Sequence, residues 1–229
     1  MKDSDWWGYF DVDLVFGNIS KFLKDSYLDS YDRIFTHGAL TLYRNNNFMN
    51  NLWNYNFNLP EVPNFSTVAT HTAIFAFDEW GWGKNKGRGI SYAVQHLPSV
   101  RQFDDTTLFA DLNPNTFNFM TANGEKITKL KYFHGDVIGF DGDRNERHYL
   151  YAHFQKRKMA NKVIDYNQPI YITPNTFSNT IQNQSDPQQE KIIWRKQHKA
   201  QRRKQIMKNL FSYSYLWRRL HFFFSERKI

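Results

Sequence analysis

Between Trp6 and Gly17 the chain reads Trp-Trp-Gly-Tyr-Phe-Asp-Val-Asp-Leu-Val-Phe-Gly, an aromatic and β-branched run interrupted by two carboxylates one residue apart. Read as a strand, its period of two sets Asp11 and Asp13 on one side and Val12 and Leu14 on the other. Carboxylates in such apolar company need a counter-charge. A divalent cation at the end of a buried strand, itself carrying a diphosphate, would supply one. An Asp-x-Asp triplet alone is commonplace, and its interest here comes from the hydrophobic frame and the Gly17-Asn18 that follows.

A chain of 229 residues can bury a good core. The expected organisation is a body over residues 1–177, a polar linker over 178–190 rich in Asn, Gln, Ser and Pro, and a tail over 191–229. With no cysteine, disulfide frameworks, thiolate nucleophiles and thiolate metal sites are excluded. No apolar stretch approaches membrane-spanning length, and the opening Met1-Lys2-Asp3-Ser4-Asp5 does not resemble a signal peptide, so a cytoplasmic location is expected. The net charge of +8 is unevenly placed: residues 191–229 carry 12 Lys or Arg against one Glu, a net of +11, which leaves the rest at −3. Basic character therefore belongs to the tail and needs its own account.

Along the body, Asn18 is positioned to cap a helix from about Ile19 to Tyr31, and short strands are expected on either side of His37-Gly38. Asn46 to Tyr55 and Ile90 to Leu97 read as helical, and Asn54 to Asn64 as loop. The β-branched run over 67–77 ends in Asp78-Glu79-Trp80-Gly81-Trp82-Gly83, a second place where carboxylates follow apolar residues. Four glycines within residues 81–89, together with Lys84, Lys86 and Arg88, describe a loop able to close on a phosphate or sugar, or simply a solvated surface loop. Gly87-x-Gly89 does not make a dinucleotide fingerprint, and no Walker sequence is present. Short strands are expected from Phe117 to Phe140 with a turn at Asn123-Gly124, and Asp141 to Glu146 lacks EF-hand spacing. His153 lies at the end of a strand-like stretch that Phe154 closes, and Gln155-Lys156-Arg157-Lys158 follows, an imidazole for a metal beside cations for phosphate oxygens.

In the tail, Ile206, Leu210, Tyr213, Trp217, Leu220 and Phe224 recur at helical spacing among basic residues. Such a helix suits an anionic membrane surface. The alternatives are packing on the body, and nucleic-acid binding through Arg202-Arg203-Lys204, which no recognised RNA or DNA module accompanies.

Residues 7–18, Tyr31-Asp32-Arg33-Ile34-Phe35, Leu40 to Asn45, Phe77 to Gly81 and His153 to Met159 together resemble a bacterial glycosyltransferase-like family of capsular and surface polysaccharide synthesis. That resemblance spans about residues 6–177 and implies an α/β fold of GT-A type with a mixed-sheet core. It implies that Asp11 and Asp13 hold Mn2+ or Mg2+ with His153, and that Asp11, Lys156 and Arg157 bind the donor diphosphate. Asp78 or Glu79 would face the acceptor hydroxyl, and Trp80 and Trp82 would contact sugar. GT-A members carry further strands before the triplet, so the nucleotide-binding half is expected to be incomplete here, with three alternatives: the chain is a fragment, a partner subunit supplies the rest, or that half is lost in a noncatalytic relative.

The leading expectation is thus a metal-dependent transferase moving sugar from a nucleotide-sugar to a glycan acceptor. A noncatalytic glycan-binding or assembly subunit is the second, and an RNA-binding protein acting through the tail is the third.

Overall fold

Trp6–Phe10 alternates large side chains about Gly8 and pairs antiparallel with Leu40–Arg44, placing Gly8 opposite Leu42 and Trp7 opposite Tyr43. A Cβ on Gly8 would overlap the Thr41 carbonyl, so the close approach of these two strands requires glycine there. The computed structural model describes residues 4–71, 77–81, 87–113, 116–121, 123–140, 145–180, 187–213, 216, 217, 220 and 224. By their contacts they form two compact units, one of Met1–Phe10, Tyr27–Asp104 and Gln201–Ile229, the other of Asp11–Ser26 and Asp105–Ala200.

In the first unit the sheet order is Trp6–Phe10, Leu40–Arg44, Arg33–Ile34 and Gln102–Phe103, with only the last pair parallel. Tyr43, Met49, Leu52, Ile90, Val94 and Val100 form its buried cluster, and the Trp7 ring stacks on Tyr43 at 4.7 Å. Arg33 is fully buried in this apolar setting. Its guanidinium donates to Ser91 Oγ at 2.7 Å and Gln102 Oε1 at 3.4 Å and lies over the Tyr43 ring. At the surface Arg101 grips both oxygens of Asp32 at 3.0 Å, and that hydrogen-bonded guanidinium holds the Asp32 carboxyl below the usual carboxylate range despite partial burial.

The second unit is built on β-structure. Its larger sheet runs Glu146–Tyr149, Asp136–Phe140, Lys129–Phe133, Ile170–Thr173, Thr176–Ser178 and Ala160–Lys162, antiparallel except for the last pair. A smaller sheet places Tyr151–His153 between Leu14–Phe16, antiparallel to it, and Phe109–Asp111, parallel to it. Leu112, Phe119, Leu130, Val137, Ala152 and Ile172 lie in one buried cluster, against which Val15, Met159 and Phe177 pack.

Several expectations change. Trp6 to Gly17 is not one strand: Trp6–Phe10 and Leu14–Phe16 belong to different sheets and the chain turns at Val12-Asp13, leaving Val12 98% exposed. Turning there keeps two adjacent carboxylates out of a sheet interior, where desolvation would penalise both. The helix drawn from Ile19 to Tyr31 is two short pieces, Ile19–Phe22 and Asp25–Ser30, broken where Leu23 is buried. Asn18 precedes the first without capping it, its side chain accepting instead from Ser20 Oγ. The start of the 67–77 run is helical, within Phe65–Thr70, because Asn64 accepts from Thr67 N at 2.9 Å and caps it. The stretch expected as linker contributes Ser178 to a strand and starts a helix at Pro187. Residues 72–76, Trp82, Lys84, Lys86 and residues 141–144 lie outside the described residues.

Leu130 is fully buried at the middle of the larger sheet, so Leu130→Ala should destabilise the chain by about 2–5 kcal/mol, read as a lower urea midpoint. Because the folded pKa of Asp32 is depressed, its stabilising contribution is complete above the unfolded value of about 3.9 and disappears as pH falls through the folded value. Asp32→Asn should therefore lower thermal stability near neutrality and leave a shallower loss on acidification than the parent shows.

A candidate metal centre at three strand ends

The smaller sheet of the second unit brings its ends together by direction alone. Leu14–Phe16 runs antiparallel to Tyr151–His153, so the start of one lies beside the finish of the other, with His153 opposite Leu14. Phe109–Asp111 runs parallel to the same strand and finishes level with it, with Asp111 opposite His153. Asp11 and Asp13 lie just before the antiparallel strand, and the Asp13 carbonyl accepts from Phe154 N at 3.0 Å. Gly17 fixes the far end, its N–H donating to Leu150 O at 2.7 Å where a Cβ would overlap the Tyr149 carbonyl.

His153 Nε2 lies 3.4 Å from Asp11 Oδ2 and 3.4 Å from Asp13 Oδ1. The ligand atoms of Asp11, Asp13 and His153 all fall within 4.8 Å of one another. Neighbouring ligands about 2.0–2.2 Å from one cation are separated by about 3–3.6 Å, so the two measured contacts suit a shared ion. Two carboxylates and an imidazole can therefore hold a divalent metal here. On its other side the ring meets Asp111, with Nδ1 3.0 Å from Oδ1. A proton on Nδ1 donated to Asp111 leaves the Nε2 lone pair turned toward Asp11 and Asp13, the arrangement that carboxylates give metal-binding histidines.

The turn after His153 closes the centre. Gln155 and Lys156 both take left-handed conformations, at φ 47° and 61°, which cost a side-chain-bearing residue about 1 kcal/mol or more each. In return Gln155 Nε2 donates to Asp111 Oδ1 and the Lys156 N–H donates to Asp13 Oδ2. Lys156 is exposed and carries its ammonium on this same turn.

Burial disfavours a charged His153, but the hydrogen bond and charge of Asp111, reinforced by Asp13 and Asp11, outweigh it and raise the imidazole pKa above its ordinary value.

A family described as "Family of unknown function (DUF6625)" matches residues 1–181. The chain belongs to this family. Its description assigns no activity, and neither a curated protein nor a solved structure matches the chain. The centre of Asp11, Asp13 and His153 lies wholly inside the DUF6625 segment, whereas the helix from Pro187 lies beyond it.

The other residues singled out in the sequence fare differently. Arg157 is buried, donating to the carbonyls of Phe117 at 3.3 Å, Asn113 at 2.7 Å and Thr116, with its charge over the Phe119 ring. Burial pushes its pKa down to about 10. A guanidinium so engaged clamps a loop, and this replaces the expectation that it binds a diphosphate. Asp78, Glu79 and Trp80 belong to the first unit and form no part of the cluster. There the Asp78 carbonyl accepts from Tyr9 and Ser91, and the Glu79 carboxylate lies against Gly38, where a Cβ would overlap it. Asp111 and Gln155 join the centre without being among the site residues expected from the sequence. The available signal was that Asp111 ends an apolar run, Leu108-Phe109-Ala110-Asp111, just as Asp11 and Asp78 end theirs.

A cation requires the neutral imidazole, so protons compete with it, and affinity should climb as pH rises through the raised pKa of His153. Titration with Mn2+ or Co2+ at about pH 6 and about pH 8 should show tighter binding at the higher value. His153→Ala should remove most of that pH dependence, and Asp111→Asn should weaken binding about 10–100-fold.

Proposed function

We propose that this chain is a cytoplasmic, metal-dependent glycosyltransferase of GT-A-like architecture that passes a sugar from a nucleotide-sugar to a surface polysaccharide or related glycan. The observation that carries this reading is the convergence of Asp11, Asp13 and His153 on one point beside an exposed lysine. It is supported by the order of the motifs along residues 6–177.

In the transfer, an acceptor hydroxyl oxygen bonds to the anomeric carbon as that carbon's bond to the diphosphate oxygen breaks. The bonding electrons leave with the nucleoside diphosphate, and the hydroxyl proton passes to a base. Asp11, Asp13 and His153 would hold Mn2+ or Mg2+, which would supply positive charge for the diphosphate oxygens as they take up those electrons. The residues of the centre prepare this in defined ways. Asp11 and Asp13 provide hard anionic oxygens, and the Lys156 N–H fixes the Asp13 carboxylate. Asp111 holds the His153 tautomer that presents Nε2. The Lys156 ammonium is available to phosphate oxygens, a task a point charge on a flexible stem performs without a fixed geometry.

Calorimetry with Mn2+ and nucleoside diphosphates tests the reading. Binding of at least one nucleoside diphosphate should require the metal, and replacing Asp11 and Asp13 together by Asn should weaken it about 100-fold or more. Metal-dependent binding unchanged in that variant would overturn the assignment. Glycan binding with no metal-dependent nucleotide binding would favour the assembly-subunit reading instead.

A further inference from the structure

The helix Pro187–Leu210 is 24 residues long, about 36 Å, and its charges surround it rather than forming one polar face. Lys191, Arg195, Lys196, Lys199, Arg202, Arg203, Lys204 and Lys208 are spread over its turns, with no acidic residue after Glu190 until Glu226. One anchor is evident in its first half: the Trp194 ring meets Phe117 edge to face at 5.9 Å and stacks on His198 at 4.9 Å. Its last turn and the residues beyond are different. Ile206, Met207, Leu210, Leu216, Trp217, Leu220 and Phe224 are all exposed, and Phe211 and Tyr213 reach 81% and 79%.

These apolar residues do not continue a single stripe. The helix pauses at Phe211-Ser212 and helical bonding resumes with Leu216 N donating to Ser212 O at 3.0 Å. The result is a long cationic rod followed by an aromatic, aliphatic segment. Exposed apolar surface of this density on a soluble chain marks a contact site.

The chemistry selects its occupant. Packing as part of the chain's own core would bury these side chains, and they are exposed. A second copy would bring another +11 tail against the first, which like charge opposes. A nucleic acid would use the lysines and arginines but leave Ile206, Leu210 and Leu220 in water. An anionic bilayer surface uses both: cations meet headgroup phosphates while Trp, Tyr, Phe and Leu enter the interfacial layer. Among the described residues no helix is long and apolar enough to cross a membrane, so the segment would lie on the surface.

We propose that the tail beginning at Pro187 docks the chain on anionic phospholipid, with the Lys191–Lys208 cations over the headgroups and Phe211, Tyr213, Trp217 and Leu220 inserted between them. The charge and the apolar surface act together. Each Lys or Arg near such a surface favours binding by about fivefold, an effect that salt screens, whereas the inserted side chains persist at higher salt.

Flotation of the full chain with vesicles of phosphatidylcholine alone, or with about one third phosphatidylglycerol, tests this. Binding should be at least about 10-fold stronger to the anionic vesicles and should weaken by a similar factor between about 0.1 and about 0.5 M salt. Phe211→Ser, Trp217→Ser and Leu220→Ser combined, at exposed positions and with unchanged circular dichroism, should reduce vesicle binding about 10-fold or more. Equal binding to both vesicle types, none to either, or full binding by the triple variant would overturn the proposal. So would tight binding of poly(U) unaffected by the triple substitution with no vesicle binding, or self-association without lipid that the substitution abolishes. Vesicle binding does not involve Asp11 or Asp13, so the Asn variants used for nucleotide binding should float as the parent does.

Discussion

The pairing of Leu14–Phe16 with Tyr151–His153 sets the position of everything in the candidate centre. Antiparallel direction brings the beginning of the first strand to the end of the second, so a carboxylate just before one meets an imidazole at the end of the other. The parallel partner Phe109–Asp111 then adds a carboxylate on the opposite side of the same ring. Register is enforced by what lies behind: Tyr151 stacks on Phe109 at 4.8 Å and meets Phe16 at 6.2 Å, while Ala152 between them is fully buried. A slip of one residue would turn His153 toward the core and Ala152 toward the carboxylates, an exchange that burial forbids.

Electrostatics follow from this placement. Three carboxylates surround one imidazole, so protonation of His153 neutralises only one of three charges. The raised imidazole pKa expresses the same imbalance, since the ring takes up a proton more readily among anions even though half-buried. A divalent ion between Asp11, Asp13 and Nε2 would meet the remaining negative charge more completely than a proton can, and Asp111 would still have the Nδ1 hydrogen bond.

Asp11 and His153 are legible in the sequence because each sits at or near the end of an apolar run, which marks a strand end, and Asp13 because it lies one residue beyond Asp11. Asp111 satisfies the same pattern, but its role depends on a parallel register with a distant strand, and no local period encodes that. Lys156 and Arg157 show the limit more sharply. They are adjacent and both cationic, yet one is exposed and the other buried against three carbonyls of the 113–117 stretch. Which of two neighbouring cations faces water is decided by the left-handed turn at Gln155-Lys156, a conformation that neither residue's propensity favours. The Val12-Asp13 turn was hidden for a related reason: alternating apolar residues continue through it, and only the desolvation of two carboxylates argues for bending there.

That left-handed turn is also the least favourable piece of local backbone in the centre, and its cost has to be met by interactions formed in the folded chain. Two lie on the turn itself, the Lys156 N–H to Asp13 and the Gln155 amide to Asp111, and a third follows when Arg157 N donates to Phe154 O at 2.9 Å. Both carboxylates are thereby oriented by groups from the strand end that carries His153. A site assembled this way loses little conformational freedom on taking up an ion, because Asp13, Asp111 and the ring are already restrained. Asp11 alone is more exposed, at 54% of its side chain. Of the three candidate ligands it is the one that water reaches most, so its carboxylate would give up the most hydration on taking up an ion.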